Sequence, residues 1–181
     1  MEKNQIINNY FKKSGDIFKF LETDFDYIRT GSEIKNESYY PDAEAILNYS
    51  GNKVAIKVFW NFAGALIGVV FIELQNGQLP EKISFWGNGD YGRAISLYSL
   101  INVINTEESK HFLLKNYYSV MFRDIKKREK IINENMEQVL ENLAIMTKKY
   151  ALDVLRGDTS IFPKIQAYEE ELMKQNYRSN K

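Results

Sequence analysis

Three residues in this sequence have types and spacing suited to bond-breaking chemistry: Asp26, followed by Glu33 and Lys35. On adjacent strands the two carboxylates would hold a divalent cation while the lysine positions or polarises the attacking water, the chemistry of a metal-dependent nuclease. The same spacing has a plainer meaning. In an alternating strand, positions 33 and 35 share a face, and charged residues that share a face usually face solvent. Gly87, Gly89 and Gly92 fit G-x-G-x-x-G, with Asp90 as a candidate helix cap. A dinucleotide site needs that motif between a parallel strand and a helix, whereas the strands expected before it form a meander, so a tight strand-to-helix loop is the simpler reading. His111 and Glu107 lie one helical turn apart, but two ligands without a third and fourth do not make a zinc site. With one histidine and no cysteine, the Ser-His-Asp and Cys-His arrangements have few parts to work with. No catalytic residue, metal ligand or cofactor is assigned on these grounds.

Charge is unevenly placed along the chain. From Glu22 to Glu44 there are seven acids (Glu22, Asp24, Asp26, Glu33, Glu37, Asp42, Glu44) against Arg29 and Lys35. From Lys110 to Lys130 there are seven bases, among them Arg123, Lys126, Lys127, Arg128 and Lys130, against Asp124 and Glu129. The basic run reads as a solvated helix face, and Phe59, Trp60 and Phe62 as core aromatics, not as base-stacking platforms. An acidic region beside a basic helix can steer a protein partner without changing the net charge. The seven acids, with Tyr39 and Tyr40 as aromatic anchors, are therefore the candidate partner-binding residues, and charge reversal at Asp42 and Glu44 is expected to slow association.

Hydrophobic periodicity indicates what positions these groups. Ile7, Tyr10, Phe11, Ile17, Phe18 and Leu21 repeat at helical spacing from Lys3 to Glu22, with Ser14-Gly15 as a break and Ser14 as a cap. Strands are expected from Phe25 to Ile28 and onward, Glu33 to Tyr40, Glu44 to Tyr49, Val54 to Trp60, Leu66 to Leu74 and Ile83 to Trp86. Turns fall at Ser50-Gly51-Asn52, Ala63-Gly64 and Asn76-Gly77. The nearly all-apolar Leu66–Leu74 should be a central strand covered on both faces. From Tyr91 the period returns to helical, through Ala94, Leu97, Tyr98, Ile101 and Ile104. Asn105 and Glu108 have capping-box spacing for the next helix. A stripe from Leu114 through Met136, Val139 and Leu143 to Leu155 predicts one long helix, or two that part near Arg128 to Asn135. Gly157 would end it, and Pro163 would open a last helix through Leu172, with a frayed tail at 175–181.

The expected fold is α+β: an N-terminal helix, a mostly antiparallel meander of about 4–6 strands, and one or two long C-terminal helices packed on the sheet. The 181 residues suit a single domain, with a helix-plus-sheet part over 1–90 and a helical part over 91–174. Lysine plus arginine and aspartate plus glutamate both total 24, so no global charge draws the chain to nucleic acid or to anionic membrane. The absence of cysteine excludes disulfides and suits a cytoplasmic location. The polar N-terminus lacks a signal-peptide core, and the apolar run from Phe62 to Ile72 is too short to span a membrane.

Two stretches carry a family resemblance. Phe18-Lys19-Phe20-Leu21 with Asp24-Phe25-Asp26-Tyr27 resembles the opening of small bacterial proteins of the immunity type or of related uncharacterised ones, where an N-terminal helix enters an antiparallel sheet. Leu155-Arg156-Gly157-Asp158 followed by Phe162-Pro163 is similar to a helix-stop segment of the same proteins. The resemblance implies a non-catalytic antidote that binds a cognate toxin and occludes its active site. An acidic edge would suit a basic toxin. Two alternatives remain open: a homo-oligomeric structural or regulatory protein, a homodimer joined through the long helix, and the nuclease built on Asp26, Glu33 and Lys35.

Overall fold

Ile7, Tyr10 and Ser14 recur at helical spacing and are all buried, and this stripe seats helix α1 (Lys3–Ile17) on the sheet. In the computed structural model the described residues are 3–36, 43–61, 66–85, 91–105, 107 and 125–179. The Ser14-Gly15 pair does not break α1. The Ser14 hydroxyl donates to the Tyr10 carbonyl one turn back, which satisfies it inside the helix. Gly15 leaves room for an arginine, because a Cβ there would stand 2.7 Å from Arg29 Nη1. The break comes instead at Phe18-Lys19, before helix α2 (Phe20–Phe25).

Four strands follow as an antiparallel meander: β1 (Ile28–Asn36), β2 (Ala43–Ser50), β3 (Val54–Asn61) and β4 (Leu66–Glu73). The alternation expected in β3 holds. Val54, Ile56, Val58 and Trp60 enter the main core, while Ala55 and Phe59 belong to a smaller cluster on the other face. Strand β4 is buried on both faces, with Ile67, Val69 and Phe71 turned to the helices and Val70 and Ile72 turned away. Asn76 and Gly77, at φ 52° and 77°, form a two-residue turn closed by the Gln75–Gln78 bridge, the backbone hand that asparagine and glycine tolerate best. Sheet order is β1-β2-β3-β4-β6-β5, where β5 (Ile83–Ser84) is a two-residue edge parallel to β6 (Gly92–Ser96).

Strand β6 is the main departure from the periodicity reading. The segment from Tyr91 is helical only from Leu97. Ala94–Ser96 pairs with β4, setting Ile95 beside Phe71 and Ala94 beside Ile72, while Gly92 and Arg93 pair with β5. Ala94 and Leu97 fit either period over so few residues, and the vacant edge of β4 decides the outcome. Helix α3 (Leu97–Ile104) starts after Ser96, whose hydroxyl accepts the Ser99 N–H at 3.0 Å, so the helix cap is Ser96. Asp90, the cap expected from sequence, lies outside the described residues, as do the Ala63-Gly64 turn and Glu108.

Helix α4 (Ile125–Tyr150) contains non-helical dihedrals at Asn135, inside the range where two helices were expected to part. Helix α5 (Leu152–Leu155) ends in a Schellman motif. The Asp158 N–H reaches the Asp153 carbonyl and the Gly157 N–H the Val154 carbonyl, with Gly157 at φ 88°. Helix α6 (Phe162–Ser179) carries Pro163 in its first turn and runs past Leu172. The described part of the long apolar stripe (Met136, Val139, Leu143, Val154, Leu155) is buried in the same core as α1 and the sheet. Among the described residues no helix is long and apolar enough to cross a membrane.

Candidate functional site

Helix α2 is six residues long, anchored by buried Phe20 and Leu21, with Glu22 and Asp24 on its exposed side. It ends at Asp26, which adopts the left-handed conformation at φ 57°. The N–H groups of Asp26 and Tyr27 both turn back towards the Leu21 carbonyl, and Tyr27 is then buried at the head of β1. Aspartate tolerates this geometry better than most residues. Three carboxylates thus stand within five residues on a fixed turn. The Thr23 hydroxyl donates to Asp24 Oδ1 at 2.7 Å, and among the described residues none of Glu22, Asp24 and Asp26 forms an ion pair.

Asp24, Asp26, Asn52, Lys53 and Arg156 all line one cleft of about 470 Å³. Three turns meet here: α2 to β1, β2 to β3, and the end of α5. Two glycines allow the approach. At Gly51 a Cβ would lie 2.7 Å from the Tyr27 ring, and the Gly157 backbone lies against the aliphatic chain of Lys53. Beyond the cleft, Asp158 Oδ1 accepts the Ser160 N–H at 2.8 Å, and that bond, aided by Lys53, holds its carboxyl below the usual range. Lys53 and Arg156 were not singled out from sequence. Turn signals mark both of their loops, but nothing local says that loops a hundred residues apart converge.

The remaining acids are placed elsewhere. Glu33 lies on β1 opposite Ile46 and accepts a hydrogen bond from Asn48 Nδ2 at 3.1 Å. Glu44 is on β2, in register with Lys35 and Asn61. Glu37, Tyr39, Tyr40 and Asp42 lie outside the described residues. Strand β1 carries Asp26 and Glu33 apart. Asp26 precedes β1, and Glu33 is five residues beyond its first residue, a run of roughly 16 Å at the strand rise. Two carboxylates sharing a cation must approach within a few ångströms. Among the described residues no group of three or more metal-ligating side chains is gathered.

The last glycine of the motif does not open a helix. Gly92 sits inside β6, where a Cβ would stand 2.0 Å from Pro80 Cγ, so its role is close packing. Gly87, Gly89 and His111 lie outside the described residues. Of the basic run, Lys130 is exposed and lies 3.8 Å from Glu134.

The left-handed turn allows the charge of Asp26 to be probed with little disturbance to the fold. Asp26→Gly should unfold in urea within about 0.5 kcal/mol of the parent, since glycine relieves the strain but frees the unfolded chain, whereas Asp26→Val should lose about 1–2 kcal/mol. Equal stabilities for the two variants would contradict the backbone assignment.

No protein-family model matches the chain, and neither any curated protein nor any solved structure matches it.

Proposed function

We propose that this chain is a non-catalytic protein-binding module of the immunity type, which binds and neutralises a cognate bacterial toxin through the turn bearing Glu22, Asp24 and Asp26. The observation that carries the reading is the exposure of these three carboxylates on one rigidly capped turn, none in an ion pair among the described residues. Carboxylates held this way raise the local concentration of a basic partner and are ready to pair with it. Lys53 and Arg156, which line the same cleft, add a specificity element. A partner must set bases against α2 and an acid, or a neutral acceptor, against the two cations, because like charges facing each other are penalised.

The test starts with a pull-down from the native host to recover the partner. Association kinetics are then compared for the parent chain and the Glu22→Lys/Asp24→Lys/Asp26→Lys variant. The variant should associate about tenfold more slowly or worse, and its rate should lose most of its dependence on ionic strength. An unchanged rate with an unchanged salt slope removes this surface from the interface. The toxin reading also predicts that the captured protein is inhibited at a one-to-one ratio, so a partner whose activity is untouched leaves only a binding module.

A further inference from the structure

We propose that the cleft lined by Asp24, Asp26, Lys53 and Arg156 binds a small zwitterion of the amino-acid or short-peptide class, its ammonium on the aspartates and its carboxylate on the two cations. The charges decide the class of ligand. Two carboxylates and two cations line one cleft of about 470 Å³, yet no ion pair forms among the four. Among the described residues the Asp26 and Arg156 side chains have neither a hydrogen bond nor an ion pair. A bare anion in this cleft meets the two aspartates, and a bare metal ion meets the two cations, so each is repelled by half of the charge around it. A ligand with no net charge and one pole of each sign is attracted by both halves. An ammonium brings three N–H donors to the carboxylates, and a carboxylate accepts a two-pronged bond from a guanidinium.

The backbone beneath both poles is held in place. Asp26 caps α2 at φ 57°, with its N–H on the Leu21 carbonyl. The N–H groups of Arg156 and Gly157 close the end of α5 on the Leu152, Asp153 and Val154 carbonyls. Three residues after Arg156, the Thr159 hydroxyl donates to Glu73 Oε1 at 2.6 Å, and Glu73 Oε2 pairs with Arg93 at 3.3 Å. The loop that carries Arg156 is thereby tied to the sheet. Lys53 is tied as well, since its carbonyl accepts the Leu74 N–H at 2.8 Å and its aliphatic chain lies against Gly157. Poles on fixed backbone lose little freedom when a ligand arrives. Phe25 and Leu155 also line the cleft and offer apolar contact to the carbon atoms between the poles. Asp24, Asp26, Lys53 and Arg156 are all exposed, so water competes and the affinity belongs to the millimolar class. The proposal stands without the toxin reading, although both use Asp24 and Asp26, because it concerns the chain alone.

The test is an NMR titration of the full chain, followed by its backbone amide signals, at about pH 6.5, where both ends of a peptide are charged. The probes are glycine, diglycine and triglycine, whose poles move apart by roughly 3.5 Å per residue. At least one should shift the Asp26, Asn52 and Gly157 amides saturably, with half-saturation at about 1–10 mM. Acetate and methylammonium, each with a single pole, should bind about tenfold more weakly or worse. Asp26→Asn removes the charge with a residue that tolerates the left-handed turn, and Arg156→Gln removes the cation from an exposed position. Each should weaken binding about fivefold or more, with the rest of the spectrum showing that the variant is folded. No saturable shift with any of the three probes at about 50 mM, single-pole ions that bind as well as the zwitterions, or undiminished binding by both variants overturns the proposal. Peptide binding by a chain that captures no toxin keeps this proposal and sinks the other reading.

Discussion

Tyr10→Ala is expected to lower the free energy of unfolding by about 3–5 kcal/mol, the range for removing a large buried aromatic side chain. Tyr10 is fully buried and joins two layers. Its ring lies 5.6 Å from both the Phe11 and Trp60 rings, and its hydroxyl donates to the Val58 carbonyl at 2.9 Å. The alanine variant loses that packing and leaves a cavity between α1 and β3. Tyr10→Phe keeps the ring and removes the bond, so about 1–2 kcal/mol should suffice to describe it. Urea unfolding of both variants separates the contributions. Equal losses in the two would mean that the hydroxyl, and not the ring, holds α1 on the sheet.

The second large effect is alkaline unfolding. Tyr10, Tyr27 and Tyr49 are buried, and burial pushes each phenol well above its ordinary value of about 10. The raised folded-state value means that the neutral form is favoured in the native chain. Below pH ~10 both states are neutral and the stability is fully present. Above it the unfolded chain ionises while the folded chain resists, and stability falls as pH rises towards the folded values. Tyr10 alone should contribute a loss of about 1.4 kcal/mol per pH unit in that window, with Tyr27 and Tyr49 acting in the same direction. Urea titrations at pH 8, 10 and 11 measure the slope. Tyr10→Phe should start less stable at pH 8 and then decline less steeply. If its slope equals that of the parent, Tyr10 does not resist ionisation and the buried phenol is not the cause.

The Tyr10 effect lies away from the acidic turn, whereas the alkaline effect reaches it through Tyr27 at its base and Tyr49, whose ionisation Glu22 opposes, so the functional test belongs well below pH ~10. Glu22, Asp24 and Asp26 are exposed, and the burial that fixes the turn resides in Phe20, Leu21 and Tyr27. Charge can therefore be varied at the surface while the anchors beneath it stay in place. In the glycine variant at position 26 the backbone conformation is preserved by a residue that prefers it. Fold and charge can be separated at this site for that reason.

Much of the architecture was legible from residue order. The alternation of Val54, Ile56, Val58 and Trp60 and the two-sided apolar run of β4 each report a local period, which follows from the backbone alone. The Asn76-Gly77 turn and the Gly157 stop report dihedrals that few residues adopt, and the structure shows positive φ at all three positions. The α+β class, the helix break near Asn135 and the acidity of the segment before β1 belong to the same category. What local pattern could not decide was any competition settled by a distant partner. Ser14-Gly15 carries a break signal, yet α1 continues through it, with the Ser14 hydroxyl bonded to the Tyr10 carbonyl inside the helix and Ser14 buried against the sheet with Ile7 and Tyr10. Ala94 fits a helical stripe, yet it lies in a strand because the edge of β4 was open to it. Asp26 and Glu33 look adjacent as a motif, yet an extended strand carries them apart, while Lys53 and Arg156 come to Asp26 from remote turns. Sequence determines periods and turns through short-range sterics; which side chains meet is determined by packing between elements far apart along the chain, and that only the tertiary structure decides.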